Sequence, residues 1–249
     1  MKRLIFAQLI VLMMLSSTLH AQSEYVSLII SAYGSLPNGD YAEKIGENPI
    51  LTRRSGFDIG NNVGLAKIGY GVGIELNAPV LLNGLGWVIG VRFLANSTDG
   101  ATAETEFEQL MGDSVNLIYE TGTWMNIPVM TGLRYKYQFS NNFGTTVLLQ
   151  GGINFSKAAS RSGTIGEIKA EKTTFDFARD FGYEVGLSIE LFKKWNLGFS
   201  YLSLNTPRFE GSRTLSEKVF PEIFSRENEI LGEERSVSMY LISLGYYLF

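Results

Sequence analysis

The stretch Thr123–Phe139, TWMNIPVMTGLRYKYQF, alternates almost without a break. One set of positions carries Met125, Ile127, Val129, Thr131, Leu133, Tyr135, Tyr137 and Phe139. The other carries Asn126, Pro128, Met130, Gly132, Arg134, Lys136 and Gln138. A period of two over this length is a β-strand with two chemically different faces. It constrains the fold because the two faces must meet different surroundings. In a water-soluble sheet the apolar row points into a core. In a membrane barrel it points out to lipid, and the charged row is the one enclosed.

The same pattern predicts strands over Val26–Tyr33, Leu65–Asn77, Trp87–Ala95, Phe143–Ser156, Gly182–Leu191, Trp195–Tyr201 and Val237–Phe249. With the first stretch that makes eight, most of them long enough to cross a bilayer when tilted. Connections alternate in length. Those after the second, fourth and sixth strands are short: PVLLNGLG, SNN and FKK. The others, Ser35–Gly64, Asn96–Gly122, Lys157–Phe175 and Asn205–Glu234, are long, polar and expected to be loops. Within the second of these, ATAETEFEQLMGDSVNLIYE suits a short amphipathic helix.

This layout decides between the two solvents. The polar row is built of Gly, Ser, Thr, Asn and a few long charged residues, a lining suited to a narrow barrel. The apolar row carries Trp87, Phe139, Phe143, Phe192 and Trp195 near the short turns. Trp124, beside a long connection, is assigned to the same interfacial girdle. The expected fold is all-β: an eight-stranded antiparallel up-and-down transmembrane barrel with short periplasmic turns and long extracellular loops. Matching outward rows pairs Phe139 with Phe143, Tyr137 with Thr145, Tyr135 with Val147 and Leu133 with Leu149. Across FKK it pairs Leu191 with Trp195, Ile189 with Leu197 and Leu187 with Phe199.

The first residues, MKRLIFAQLIVLMMLSSTLHAQ, place Lys2 and Arg3 before an apolar run that ends in small residues. They read as a secretory signal peptide over 1–21, cut after Ala21, with one barrel domain over 22–249. The apolar run is short for a membrane anchor, and no Cys follows it to make a lipoprotein signal. Loss of Lys2 and Arg3 moves the formal charge from −4 to −6, which argues against nucleic acid as a partner. The chain has no Cys, and its single His, His20, leaves with the signal peptide. Disulfides, thiolate chemistry, Ser-His-Asp hydrolysis and His-ligated zinc are thereby excluded. No cofactor, metal or catalytic set is expected.

Charges on the inward row are the sharpest feature: Lys67, Glu75, Arg92, Arg134, Lys136, Glu184 and Glu190. Side chains just fill an eight-stranded barrel, and an unpaired charge is expensive there. Arg134 and Lys136 are therefore expected to pair with Glu75, Glu184 or Glu190, which plugs the lumen. A narrow polar path is the alternative. Glu184 and Glu190 share a face but lie roughly 20 Å apart along a strand, too far to act on one bond. GYGVG from Gly69 lacks the following helix of a phosphate loop. NST at Asn96 is assigned to an ordinary loop, and Glu104, Glu106 and Glu108 to a solvated acidic one. In the last long connection Phe209, Phe220, Phe224, Ile223 and Ile230 form a candidate binding surface, or else pack against the other loops.

The strand and loop pattern, with WMNIPVMTGLRYKY as fourth strand, YEVGLSIEL as sixth and LISLGYYLF as last, resembles the small eight-stranded outer-membrane β-barrel family. That group includes the transmembrane domain of outer membrane protein A. The resemblance implies an outer-membrane location, contact with outer-membrane lipid and lipopolysaccharide, and insertion by the barrel-insertion machinery through the C-terminal strand. Alternation puts Phe249 on the inward row, a departure from that insertion signal. The barrel hydrolases resemble His-dependent enzymes, which counts against a membrane enzyme acting on lipid or lipopolysaccharide. The expected function is a structural or surface-interaction barrel, meeting an unidentified ligand through its loops. The alternative is a small porin-like channel for ions or small solutes.

Overall fold

The computed structural model describes residues 26–42, 64–80, 84–101, 104–105, 117–140, 142–165, 168–219 and 222–248. Eight strands form a closed barrel in chain order. They are β1 (Ser27–Asn38), β2 (Ala66–Pro79), β3 (Leu85–Thr98), β5 (Thr123–Ser140), β6 (Phe143–Lys157), β9 (Phe177–Leu191), β10 (Trp195–Ser203) and β13 (Ser238–Tyr247). Each pairs antiparallel with the next, and β13 closes on β1.

Exposure settles which row faces out. Val147, Leu149 and Ile153 are 50%, 58% and 53% exposed, while Thr146, Gln150 and Asn154 on the other row of β6 are buried. The apolar row lies outside on every barrel strand, so this is no water-soluble sheet. Leu191, Ile189 and Leu187 meet Trp195, Leu197 and Phe199 in the expected register. Across SNN, Tyr137, Tyr135 and Leu133 also meet their expected partners. Phe143, however, pairs with Ser140 rather than Phe139, because a bulge lies between Gln138 and Ser140.

The long connections differ from expectation. They contain β4 (Leu117–Thr121), β7 (Arg161–Ile165), β8 (Ile168–Phe175), β11 (Arg208–Val219) and β12 (Glu222–Glu234). These form a second, five-stranded antiparallel sheet in the order β12-β11-β8-β7-β4. β4 runs through Gly122 into β5, and β8 through Asp176 into β9, so the barrel's ladders continue upward. Apolar residues such as Ile118, Phe175 and Phe209 interrupt rows that are otherwise mostly polar, and the regular contrast between faces that marks the barrel strands is missing. Of the proposed helix, 100–101 and 104–105 are helical and 117–121 is β4; the segment between lies outside the described residues. A short 3-10 helix, Gly39–Tyr41, turns Tyr41 inward after β1. There it joins a buried apolar cluster with Trp124, Phe175, Leu202, Leu204, Phe209, Val237, Met239 and Leu241.

Candidate functional site

The interior has two layers. The lower one is charged and centres on Arg92 of β3. Its Nη2 donates to Glu75 Oε1 of β2 at 2.5 Å, and its Nη1 to Glu184 Oε2 of β9 at 2.5 Å. The Tyr33 hydroxyl donates to the same Glu75 oxygen at 3.3 Å. The guanidinium sits 5.1 Å from the Tyr33 ring centre. Glycine makes the room. Gly73 lies opposite Arg92 and Gly90 opposite Glu75; a Cβ there would stand 2.7 Å from Arg92 Cγ and 2.9 Å from Glu75 Cγ. Glycine and charge thus share the inward rows, each glycine leaving room for the charge on the neighbouring strand.

Lys136 Nζ pairs with Glu190 Oε2 at 2.6 Å. Arg134, expected to share a carboxylate, has none at ion-pair distance among the described residues. Its side chain is buried, and its Nε has no partner. It lines a cavity of about 50 Å³ whose wall also carries Glu75, Arg92, Glu184, Asn77 and Tyr247, so the carboxylates of the Arg92 cluster face the same space. Lys67 departs further from expectation. Ala66 pairs with Thr98 but Gly69 with Asn96, so β2 carries one extra residue. That bulge turns Lys67 out of the inward row, half exposed, to pair with Asp99 at 2.9 Å. Glu184 and Glu190 are bound to different cations, as their spacing along β9 requires.

The upper layer begins with a polar network. The Tyr41 hydroxyl donates to Asn96 Oδ1 at 3.0 Å and accepts from Asn126 Nδ2 at 3.1 Å. Asn96 Nδ2 donates to Ser35 Oγ and to the Lys67 carbonyl. Ser156 Oγ donates to Asn126 Oδ1 at 2.6 Å. Asn96, assigned to a loop, is therefore a fully buried residue of β3. Burial pushes the Tyr41 hydroxyl far above the usual phenol range, so it stays a donor.

Trp124 also departs from expectation. It is 1% exposed rather than part of the girdle, since it shares its row with Asn126. Its Nε1 donates to the Gly64 carbonyl at 2.8 Å. Its ring packs edge-on against Tyr41 and Phe209, at 5.1 and 5.5 Å. The Arg235 guanidinium lies over both Trp124 and Phe175. Phe209 is thus buried rather than presented to solvent. Phe220 lies outside the described residues, and Phe224 is described only by its backbone place in β12. Parity with Asn126 is the one sequence signal that could have found Trp124; nothing comparable marks Tyr41 or Arg235. Among the described residues no group of three or more metal-ligating side chains is placed to hold an ion.

Solved structures of similar strand layout share about a tenth of the sequence. Ail, the attachment invasion locus protein of Yersinia pestis, is 10% identical, with 90% of this chain and 97% of that one covered and a TM-score of 0.41. A major outer membrane protein of Thermus thermophilus is 11% identical, with 90% and 100% covered and a TM-score of 0.47. OprG of Pseudomonas aeruginosa is 10% identical, with 90% and 97% covered and a TM-score of 0.39. A search of curated protein sequences returned no match. The sequence profile described as outer membrane protein beta-barrel domain matches residues 9–219, most of the chain. On that match the protein belongs to the outer membrane protein β-barrel domain family and resides in the outer membrane.

Proposed function

We propose that this protein is a structural or surface-interaction barrel that meets its ligand through the extracellular sheet and loops, not an enzyme. In this reading residues 1–21 are a cleaved signal peptide. The barrel-insertion machinery recognises the last strand, and outer-membrane lipid and lipopolysaccharide surround the apolar wall. Glu75, Arg92, Arg134, Lys136, Glu184 and Glu190 serve to fill the lumen. The observation that carries the reading is the doubled closure of the interior. Arg92 bridges carboxylates from two other strands, and Trp124 with Tyr41 and Phe209 packs across the extracellular rim above it. Neither layer suits a continuous water path.

Planar-bilayer recording of the refolded protein tests it. No conductance above the lipid background is expected from the wild type. Stable unitary steps would overturn the closed lumen and favour the small porin-like channel, whose one supporting observation is the cavity beside Arg134.

A further inference from the structure

The outward rows of the barrel strands carry no carboxylate among the described residues, and their cations are Lys67, Lys157 and Arg179. Lys67 is matched by Asp99. Lys157 of β6 and Arg179 of β9 have no carboxylate at ion-pair distance among the described residues. The register sets these two beside each other. Lys157 pairs with Phe177, and Phe155 with Arg179. The cations are therefore diagonal neighbours on one face, about 7–8 Å apart at the backbone. Asp180 lies on the other row of β9, where it accepts from the Phe181 amide and from Asn205. Asp176, just above Phe177, is exposed and pairs with neither cation.

Like charges so placed repel one another unless a counter-charge lies between them. The surroundings of the pair are apolar. Phe155, Phe177 and Phe181 flank it, all exposed on the outer wall, and Lys157 Nζ lies 5.6 Å from the Phe177 ring centre. Position along the strand indicates what supplies the negative charge. From Phe143 beside the short turn to Phe155, the outward row of β6 carries no charge. Those twelve residue steps span about 40 Å of strand, or about 30 Å across the membrane at a tilt of about 40°. The hydrocarbon layer of a bilayer is about 30 Å thick. Lys157 and Arg179 thus stand at its extracellular boundary, level with the lipid headgroups. A zwitterionic headgroup brings its own cation to that level, whereas a phosphorylated glycolipid brings uncompensated negative charge.

We propose that Lys157 and Arg179 together hold a phosphate group of lipopolysaccharide at the extracellular edge of the lipid-facing wall. The site rests on the reading above that lipopolysaccharide surrounds this end of the barrel, and it does not depend on what the loops recognise. The folded protein in detergent micelles is titrated with lipid A, and bound lipid is counted by native mass spectrometry. The wild type is expected to retain lipid A, and Lys157→Ser with Arg179→Ser to bind it roughly tenfold more weakly. Lipid A stripped of its phosphates should bind the wild type no better than intact lipid A binds that variant. Lys193→Ser with Lys194→Ser, in the exposed turn at the opposite end, should change nothing. Equal lipid A binding by the wild type and both variants would overturn the pair alone. Loss in the turn variant instead would overturn the membrane orientation as well. Displacement of lipid A by an equal concentration of inorganic phosphate would assign the pair to free phosphate and overturn the lipid headgroup. Should the Lys157 and Arg179 variant fail to fold, dephosphorylated lipid A on the wild type decides alone.

Discussion

The lower lumen and the extracellular rim fill one barrel by opposite means. Below, Arg92 pairs with Glu75 of the neighbouring strand and with Glu184 across the lumen, and glycines on the facing strands make space for the stems. At the rim, Trp124, Tyr41, Phe175 and Phe209 pack edge to face, and a ladder of Asn and Ser side chains satisfies what lies beneath. The difference lies in how each layer fails. A charged layer is costly when half of it is removed, because the partner stays buried. An aromatic layer loses contact area and leaves a void. The first is sensitive to which partner is deleted, the second to how much volume is.

The largest expected effect follows from Arg92→Ala, which strands Glu75 and Glu184 together. Denaturant titration of the folded barrel should show a loss of about 5 kcal/mol, the upper end for a broken buried pair. Adding Glu75→Gln and Glu184→Gln should restore much of it. A loss near zero for Arg92→Ala would mean the cluster is hydrated and behaves as a pore lining. Trp124→Ala comes next, at about 4 kcal/mol, in the range for an aromatic removed from a core. No charge substitution elsewhere should rescue it; rescue by one would erase the distinction between the layers.

Asn96→Ala probes the polar network that joins them. It deprives the Tyr41 hydroxyl of its acceptor and Ser35 of its donor, at about 2 kcal/mol by the same titration. A negligible change would show that water replaces the amide. Smallest is Lys67→Ala. Its pair with Asp99 is half exposed on the outer wall, so less than about 0.5 kcal/mol is expected. A cost matching that of Arg92→Ala would return Lys67 to the lumen and contradict the bulge in β2.

The eight barrel strands were legible because each has a row that lipid accepts and a row that it does not. Length, alternation and the short SNN and FKK turns then fix the neighbours and the register of two hairpins, up to the bulge at Gln138–Ser140. The inward charges were legible for the same reason, with the exception of Lys67. One inserted residue between Ala66 and Gly69 reverses its side, and no period of two reveals an insertion beforehand. The upper sheet was not legible. Strands such as IKAEKTTF and RFEGSRTLSEKV have no unbroken apolar row, and they extend ladders already formed below.

By itself, then, the sequence determined a closed barrel, its lipid-facing wall and, Lys67 apart, the charges that wall encloses, because these follow from periodicity within single strands. Tertiary structure alone decided that Arg92 takes two carboxylates while Arg134 takes none among the described residues, and that Trp124 meets Tyr41, Phe209 and Arg235. Arg92 reaches Glu75 within one hairpin, but its pair with Glu184 and the contacts of Trp124 join strands that share no turn, across a lumen whose stagger depends on bulges and on closure of β13 against β1. Pairing across such a space is a property of the closed ring, and no single strand carries it.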